Sequence, residues 1–151
     1  MGTLAGVSSP ATTYSPLVGA QVRLAAGSRV GIPLDPAWEH AVVLLDGDLE
    51  LPSLAVRPPQ DDLLYLGAQR DHIELASEGG ALVLLLGGEP FEEELVMWWN
   101  FVGRTHEEIV EARGEWEAGS GRFGSVAGHG EVRIPAPPMP NVRLTPRSRR
   151  L

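Results

Sequence analysis

The four histidines, His40, His72, His106 and His129, are where any metal chemistry in this chain would have to begin. His40 and His72 with Glu39 or Glu74 would supply two imidazoles and a carboxylate, a donor set suited to non-haem iron. No two of the four have ligand spacing, His106 falls in the first turn of a predicted helix, and His129 sits in a glycine loop. Ordinary structural or surface histidines are therefore expected. Cysteine is absent, which excludes disulfides, thiolate metal sites and cysteine nucleophiles. Lysine is absent too, all twelve basic residues being Arg, which excludes Schiff-base chemistry and pyridoxal phosphate.

Three other patterns carry chemical readings. Gly119-Ser120-Gly121-Arg122-Phe123-Gly124 has the spacing of a dinucleotide loop. That loop needs a strand before it and a helix after it, so that phosphate meets a helix N-terminus. Here a helix precedes and a loop follows, and a flexible loop is expected. Met97-Trp98-Trp99-Asn100-Phe101 could stack an aromatic ligand, but aromatics at a strand end more often pack a core or an interface. Strand alternation would put Met97, Trp99 and Phe101 on one side and Trp98 and Asn100 on the other. Arg143, Arg147, Arg149 and Arg150 form a small basic tail, read as solvated or paired within the chain because the net charge is −8. That acidity also makes a nucleic-acid partner an unfavoured expectation.

The elements that must position these residues are mostly short strands. Alternating apolar residues mark Val22-Leu24 and Val30-Leu34, and short apolar runs mark further strands at Ala41-Leu45, Leu63-Leu66, His72-Leu75, Ala81-Leu86 and Leu95-Trp99. The Asp46-Gly47 step between two apolar runs predicts a hairpin turn. Ala81–Leu86 is apolar on both faces and predicts a strand covered on both sides. Thr105-His106-Glu107-Glu108 is a capping box that opens one helix over about 105–118, with Gly119 as its stop. The Gly-rich and Pro-rich stretch that follows predicts an arm that is extended or disordered. Short strands without intervening helices indicate an antiparallel sandwich or barrel, here assigned to 1–103, with helix and arm over 104–151. No apolar run is long enough to span a membrane, the first residues do not read as a signal peptide, and a cytoplasmic location is the default expectation.

Several blocks resemble one family. Leu85-Leu86-Gly87-Gly88-Glu89-Pro90, followed by Val96-Met97-Trp98-Trp99-Asn100-Phe101-Val102-Gly103-Arg104-Thr105-His106-Glu107-Glu108-Ile109, closely resembles the C-terminal domain of the pirins. Ile32-Pro33-Leu34-Asp35-Pro36 with Glu39-His40-Ala41, Leu64-Tyr65-Leu66-Gly67 and Arg133-Ile134-Pro135-Ala136-Pro137 extend the likeness over most of the chain. The resemblance implies a cupin, or jelly-roll, sandwich and only the second half of a two-cupin protein. In pirins the N-terminal cupin holds iron through three His and one Glu, and the C-terminal cupin normally holds none. Some members are quercetin 2,3-dioxygenases and others are nuclear, iron-dependent transcriptional co-regulators. No ligand position of the N-terminal motif is matched here. In the general cupin pattern, Glu39 would occupy the first motif's Glu, with no His in the preceding slots from Ile32 to Asp35. Arg70 replaces the second motif's His, and a guanidinium is no iron ligand.

The resemblance therefore implies no catalytic, cofactor or metal residues in this chain, with iron confined to an N-terminal half. Three functions follow as expectations: a structural, interface-forming half of a pirin-like protein; part of a quercetin dioxygenase-like enzyme whose metal lies in that other half; or a stand-alone apo-cupin binding a small molecule. For the last, Glu39, Tyr65 and Arg70 are the candidate barrel-lining contacts. Trp98, Trp99, Phe101 and Trp116 are the candidate interface residues, and the expected partner is an N-terminal pirin cupin domain or a second copy.

Overall fold

Asp46-Gly47 shows how the chain builds its sandwich. In a computed structural model, which describes residues 1–130 and 132–146, no hairpin forms there. Strand β5 (Glu39–Gly47) runs through both residues, pairing Asp46 with Leu82 and Gly47 with Ala81. The register shifts between Leu44 and Asp46, and such a bulge sharpens the local twist. Gly47 has φ 86°, and a side chain there would strike the Gly80 carbonyl. The chain then crosses to the other layer, where Glu50 bridges Ala76. The predicted turn is thus a crossover between sheets.

The strands before it are β1 (Thr3–Leu4), β2 (Val7–Ser8), β3 (Leu17–Leu24) and β4 (Ser28–Pro33). Those after it are β6 (Leu63–Gly67), β7 (His72–Ser77) and β8 (Ala81–Gly88). One sheet has the order β3-β8-β5-β6, the other pairs β4 with β7, and β1-β2 is a small hairpin. All these pairings are antiparallel. One side chain in two faces inward, so Val42, Leu44, Val83 and Leu85 meet Ile32, Leu51, Ile73 and Leu75 in a single apolar core. Each such side chain, fully buried, stabilises the fold by roughly 1.5–3 kcal/mol.

These strands make up one compact unit, Met1–Pro90; a second begins at Phe91. The second unit holds β9 (Val96–Trp98), β10 (Phe101–Gly103) and helix α1 (His106–Glu117). The boundary expected after Gly103 falls inside it, because Val96 and Phe101 share a core with Ile109 and Ala112 of the helix. Thr105 caps α1 by accepting the Glu108 N–H, while Glu108 Oε2 accepts the Arg104 N–H. The predicted single strand Leu95–Trp99 is instead a tight hairpin in which Trp98 faces Phe101 and Trp99-Asn100 turn the chain. The all-β sandwich with one helix thus stands as read. Among the described residues no helix is long and apolar enough to cross a membrane.

Candidate functional site

His40 is the most enclosed ionisable side chain of the sandwich, 2% exposed. It lies on β5 between Gly67 of β6 and Gly87 of β8. On the two-residue period it shares the inward face with Val42 and Leu44. Gly87 makes room for the ring, since a β-carbon there would overlap the imidazole and crowd the Glu39 carbonyl. The ring borders a cleft of about 190 Å³ shared with Thr3, Leu4, Asp35 and Trp38. Its Nδ1 is buried without a hydrogen-bond partner. Burial pushes the imidazole below its ordinary pKa of 6.5, with the Trp38 backbone and the Asp35 carboxylate pulling the other way. The ring is therefore neutral near pH 7, with one donor and one acceptor nitrogen. Asp35 is held by the loop, accepting the Ala37 N–H at 2.9 Å.

The remaining predicted residues do not gather around His40 as a metal centre. His72 projects from β7 with its side chain 67% exposed, 2.6 Å from Asp71. Glu74 is engaged by Arg29 through two contacts of 2.6 Å. Glu39 accepts from the Tyr65 hydroxyl at 2.7 Å. His106 Nδ1 accepts the Leu144 N–H, and His129 stands in an exposed loop. Among the described residues no three His, Asp or Glu are grouped to hold a metal. One buried imidazole beside one carboxylate is too few donors for the iron a dioxygenase would need.

The three candidate barrel-lining residues divide. Glu39 and Tyr65 do meet, but not inside the sandwich. Leu64 and Leu66 take the inward positions of β6, so Tyr65 must point outward, and it is 52% exposed. Arg70 donates Nε–H to the Leu66 carbonyl at 2.9 Å, pinning the loop between β6 and β7. The barrel-lining role expected of Tyr65 is corrected by this parity.

The aromatic block packs on itself. Trp98 and Phe101 stack with centroids 6.4 Å apart, and Trp99 meets Phe101 at 5.2 Å and Trp116 at 5.9 Å, both edge to face. Trp98 and Trp99 consequently join one core rather than opposite sides, because the turn at Trp99, with φ 51°, breaks strand alternation. Phe123, from the Gly119–Gly124 stretch expected to be a flexible loop, closes the cluster against Trp116 at 5.4 Å. That loop holds a short 3₁₀ turn, Gly121–Phe123, and its Arg122 pairs with Glu115. The Pro-rich arm lies along α1. Trp116 donates to the Ile134 carbonyl, Arg113 to that of Pro137, and Glu117 accepts the Ala136 N–H. Arg133 reaches back to the carbonyls of Trp116 and Glu117. Arg143 makes two contacts with Glu107, while Arg147, Arg149 and Arg150 lie outside the described residues.

Residues 19–124 match the family model for the pirin C-terminal cupin domain. The chain belongs to the pirin family. A Pseudomonas aeruginosa relative named for quercetin 2,3-dioxygenase is 43% identical over 141 residues, which cover 92% of this chain and 44% of that protein. A pirin-like protein of Caulobacter vibrioides is 28% identical over 90% of this chain and 45% of its own length. A crystal structure of a quercetin 2,3-dioxygenase from Acinetobacter baumannii matches with a TM-score of 0.77 at 33% identity, over 95% of this chain and 48% of that one. The pirin domain described here thus spans about half the length of these relatives.

Within this pirin domain, sequence reasoning identified His40 but not its surroundings. Asp35 and Trp38 stand in or beside the Ile32–Pro36 block already singled out, yet nothing local ties them to Thr3 and Leu4. The small residue opposite His40, Gly87, carries no local signal of its role; its use as space for a ring emerges only with the register of β5 on β8.

Proposed function

We propose that this chain is the metal-free C-terminal cupin half of a pirin-like protein, structural and interface-forming, and not catalytic by itself. The observation that carries this reading is the donor set of the sandwich interior. Its one buried imidazole, His40, has Asp35 nearby and Gly67 and Gly87 as strand neighbours, while Arg70 is turned onto a backbone carbonyl. A mononuclear iron site needs several imidazole or carboxylate ligands converging on one point. Purification under iron(II) loading, followed by metal analysis, tests the reading. Substoichiometric iron, unaffected by His40→Ala, is expected, and oxygen uptake with quercetin should not exceed a metal-only control. Near-stoichiometric iron that disappears with His40→Ala, or turnover above the control, would overturn it.

Two other readings have their own support. The names of the Pseudomonas and Acinetobacter relatives favour a quercetin dioxygenase-like activity of a full-length form, with iron in an N-terminal cupin. Adding such a cupin and regaining oxygen uptake would establish it. The cleft at His40, with its unpartnered Nδ1, favours a small polar ligand held by the isolated domain. Chemical-shift changes of the His40 ring on titration with small carboxylic acids and phenols would report it.

A further inference from the structure

The two outer faces of the sandwich differ in character. On the β4-β7 sheet the outer face is polar, crossed by the Arg29–Glu74 ion pair. On the four-stranded sheet, Leu82, Leu84 and Leu86 of β8 form a half-buried apolar stripe down the centre. Two observations fix that orientation. The intervening Val83 and Leu85 are fully buried in the core. A β-carbon on Gly19, which pairs with Leu86, would touch the side chains of Leu86 and Met1. Leu63 and Tyr65 of β6, 58% and 52% exposed, widen the surface. Contiguous apolar surface of this kind marks an interaction site.

The charges beside the stripe indicate what covers it. Arg23 on β3 and Asp46 on β5 both pair with Leu82, so the three form one row across the sheet. Two strand spacings separate the charges, about 10 Å. Neither residue makes an ion pair among the described residues.

We propose that this face is an isologous interface between two copies of the chain, with the two-fold axis running along β8. Such an axis exchanges the positions of β3 and β5. It sets the three leucines of one copy against those of the other and brings Arg23 of each copy over Asp46 of its mate, giving two equivalent ion pairs. Self-complementarity of this kind is what a two-fold contact demands, and an axis parallel to the strands suits the small angle at which aligned sheets pack. An unrelated partner would require no balance of sign at symmetric positions. The proposal rests on the interface-forming reading above but is decided separately, by mass in solution rather than by iron or oxygen.

The test is sedimentation velocity and light scattering on the 151-residue chain over a concentration series, with circular dichroism confirming that each variant folds. The wild type should approach twice its 16.2 kDa mass as concentration rises. Arg23→Asp and Asp46→Arg should each raise the dissociation constant on the order of tenfold, because each turns two attractive contacts into two repulsive ones. The double variant Arg23→Asp/Asp46→Arg should recover most of that loss, since the swap restores both pairs, and Leu84→Glu should abolish association. A monomer at every concentration would overturn the proposal and leave the face to another partner, such as a domain joined ahead of Met1. A dimer indifferent to Leu84→Glu, or single-variant losses that the double variant does not recover, would overturn it equally.

Discussion

Gly87 lies against the imidazole of His40, its backbone so close that a β-carbon at that position would overlap the ring. The two residues are cross-strand neighbours on β8 and β5, and the ring has no other place to go, because its face of the sheet is the core. Gly87→Ala is therefore expected to destabilise the sandwich by about 1–3 kcal/mol, the usual cost of forcing extra volume into a packed interior. Chemical denaturation followed by circular dichroism measures it. Adding His40→Ala should recover part of the loss; an additive double variant would show that the ring is not what Gly87 makes room for.

Stability should also depend on pH through His40. Its folded pKa is lowered, chiefly by burial, from an unfolded value of 6.5. Above that value both states hold a neutral ring, and its contribution is constant. As pH falls through it, the unfolded chain accepts a proton that the folded ring refuses, so stability drops until the folded pKa is reached. Urea midpoints should therefore decline as pH falls through the unfolded value of 6.5 and on toward the lower folded one. His40→Gln should flatten that decline, and an unchanged slope would remove His40 as its source.

In the second unit, Trp116 joins the aromatic cluster to the arm. Trp116→Phe keeps a ring but loses the indole donor to the Ile134 carbonyl, at a cost of about 1 kcal/mol. Trp116→Ala also removes the contacts with Trp99 and Phe123, for a loss of about 3 kcal/mol. Limited trypsin digestion reports both, with cleavage after Arg133 and Arg143 accelerating in the order wild type, Phe, Ala. Equal rates in all three would show that the arm does not depend on this anchor.

Parity along the strands gives a fourth test. Leu85, fully buried, and Leu63, 58% exposed, are the same residue in opposite settings. Leu85→Ala should cost about 2–5 kcal/mol, and Leu63→Ala no more than about 0.5 kcal/mol. Comparable losses in thermal denaturation would contradict the assigned faces.

Where local chemistry sufficed, the sequence was readable. The Thr105–Glu108 capping box specified the start of α1 without tertiary help, and the apolar runs Ala41–Leu45 and Leu63–Leu66 marked strands, though not which of their residues face inward. Three features escaped because they depend on pairing. Asp46-Gly47 has turn chemistry, yet Leu82 and Ala81 of β8 hold it in a ladder. Trp98 and Trp99 looked divided by alternation, but a turn at Trp99 folds them onto one cluster. The arm beyond Arg133 has a composition that builds no core of its own, and its order comes from donors on α1 that periodicity cannot reveal. At the candidate site, His40 was visible as a residue type, while its burial followed from the neighbours supplied by β6 and β8.

The strand order β3-β8-β5-β6 has a consequence for biosynthesis. β8, one of the two central strands of the sheet, is also its last to leave the ribosome. Until residue 88 has emerged, β3 and β5 have no hydrogen-bonded link to each other, and the edges that β8 will occupy on both stay open to any other strand. A translational pause while Ala81–Gly88 are still inside the exit tunnel would prolong that exposure, whereas a pause after they have emerged would come once the sheet can close, so the same delay placed early or late should divide nascent chains between aggregation and a finished sandwich.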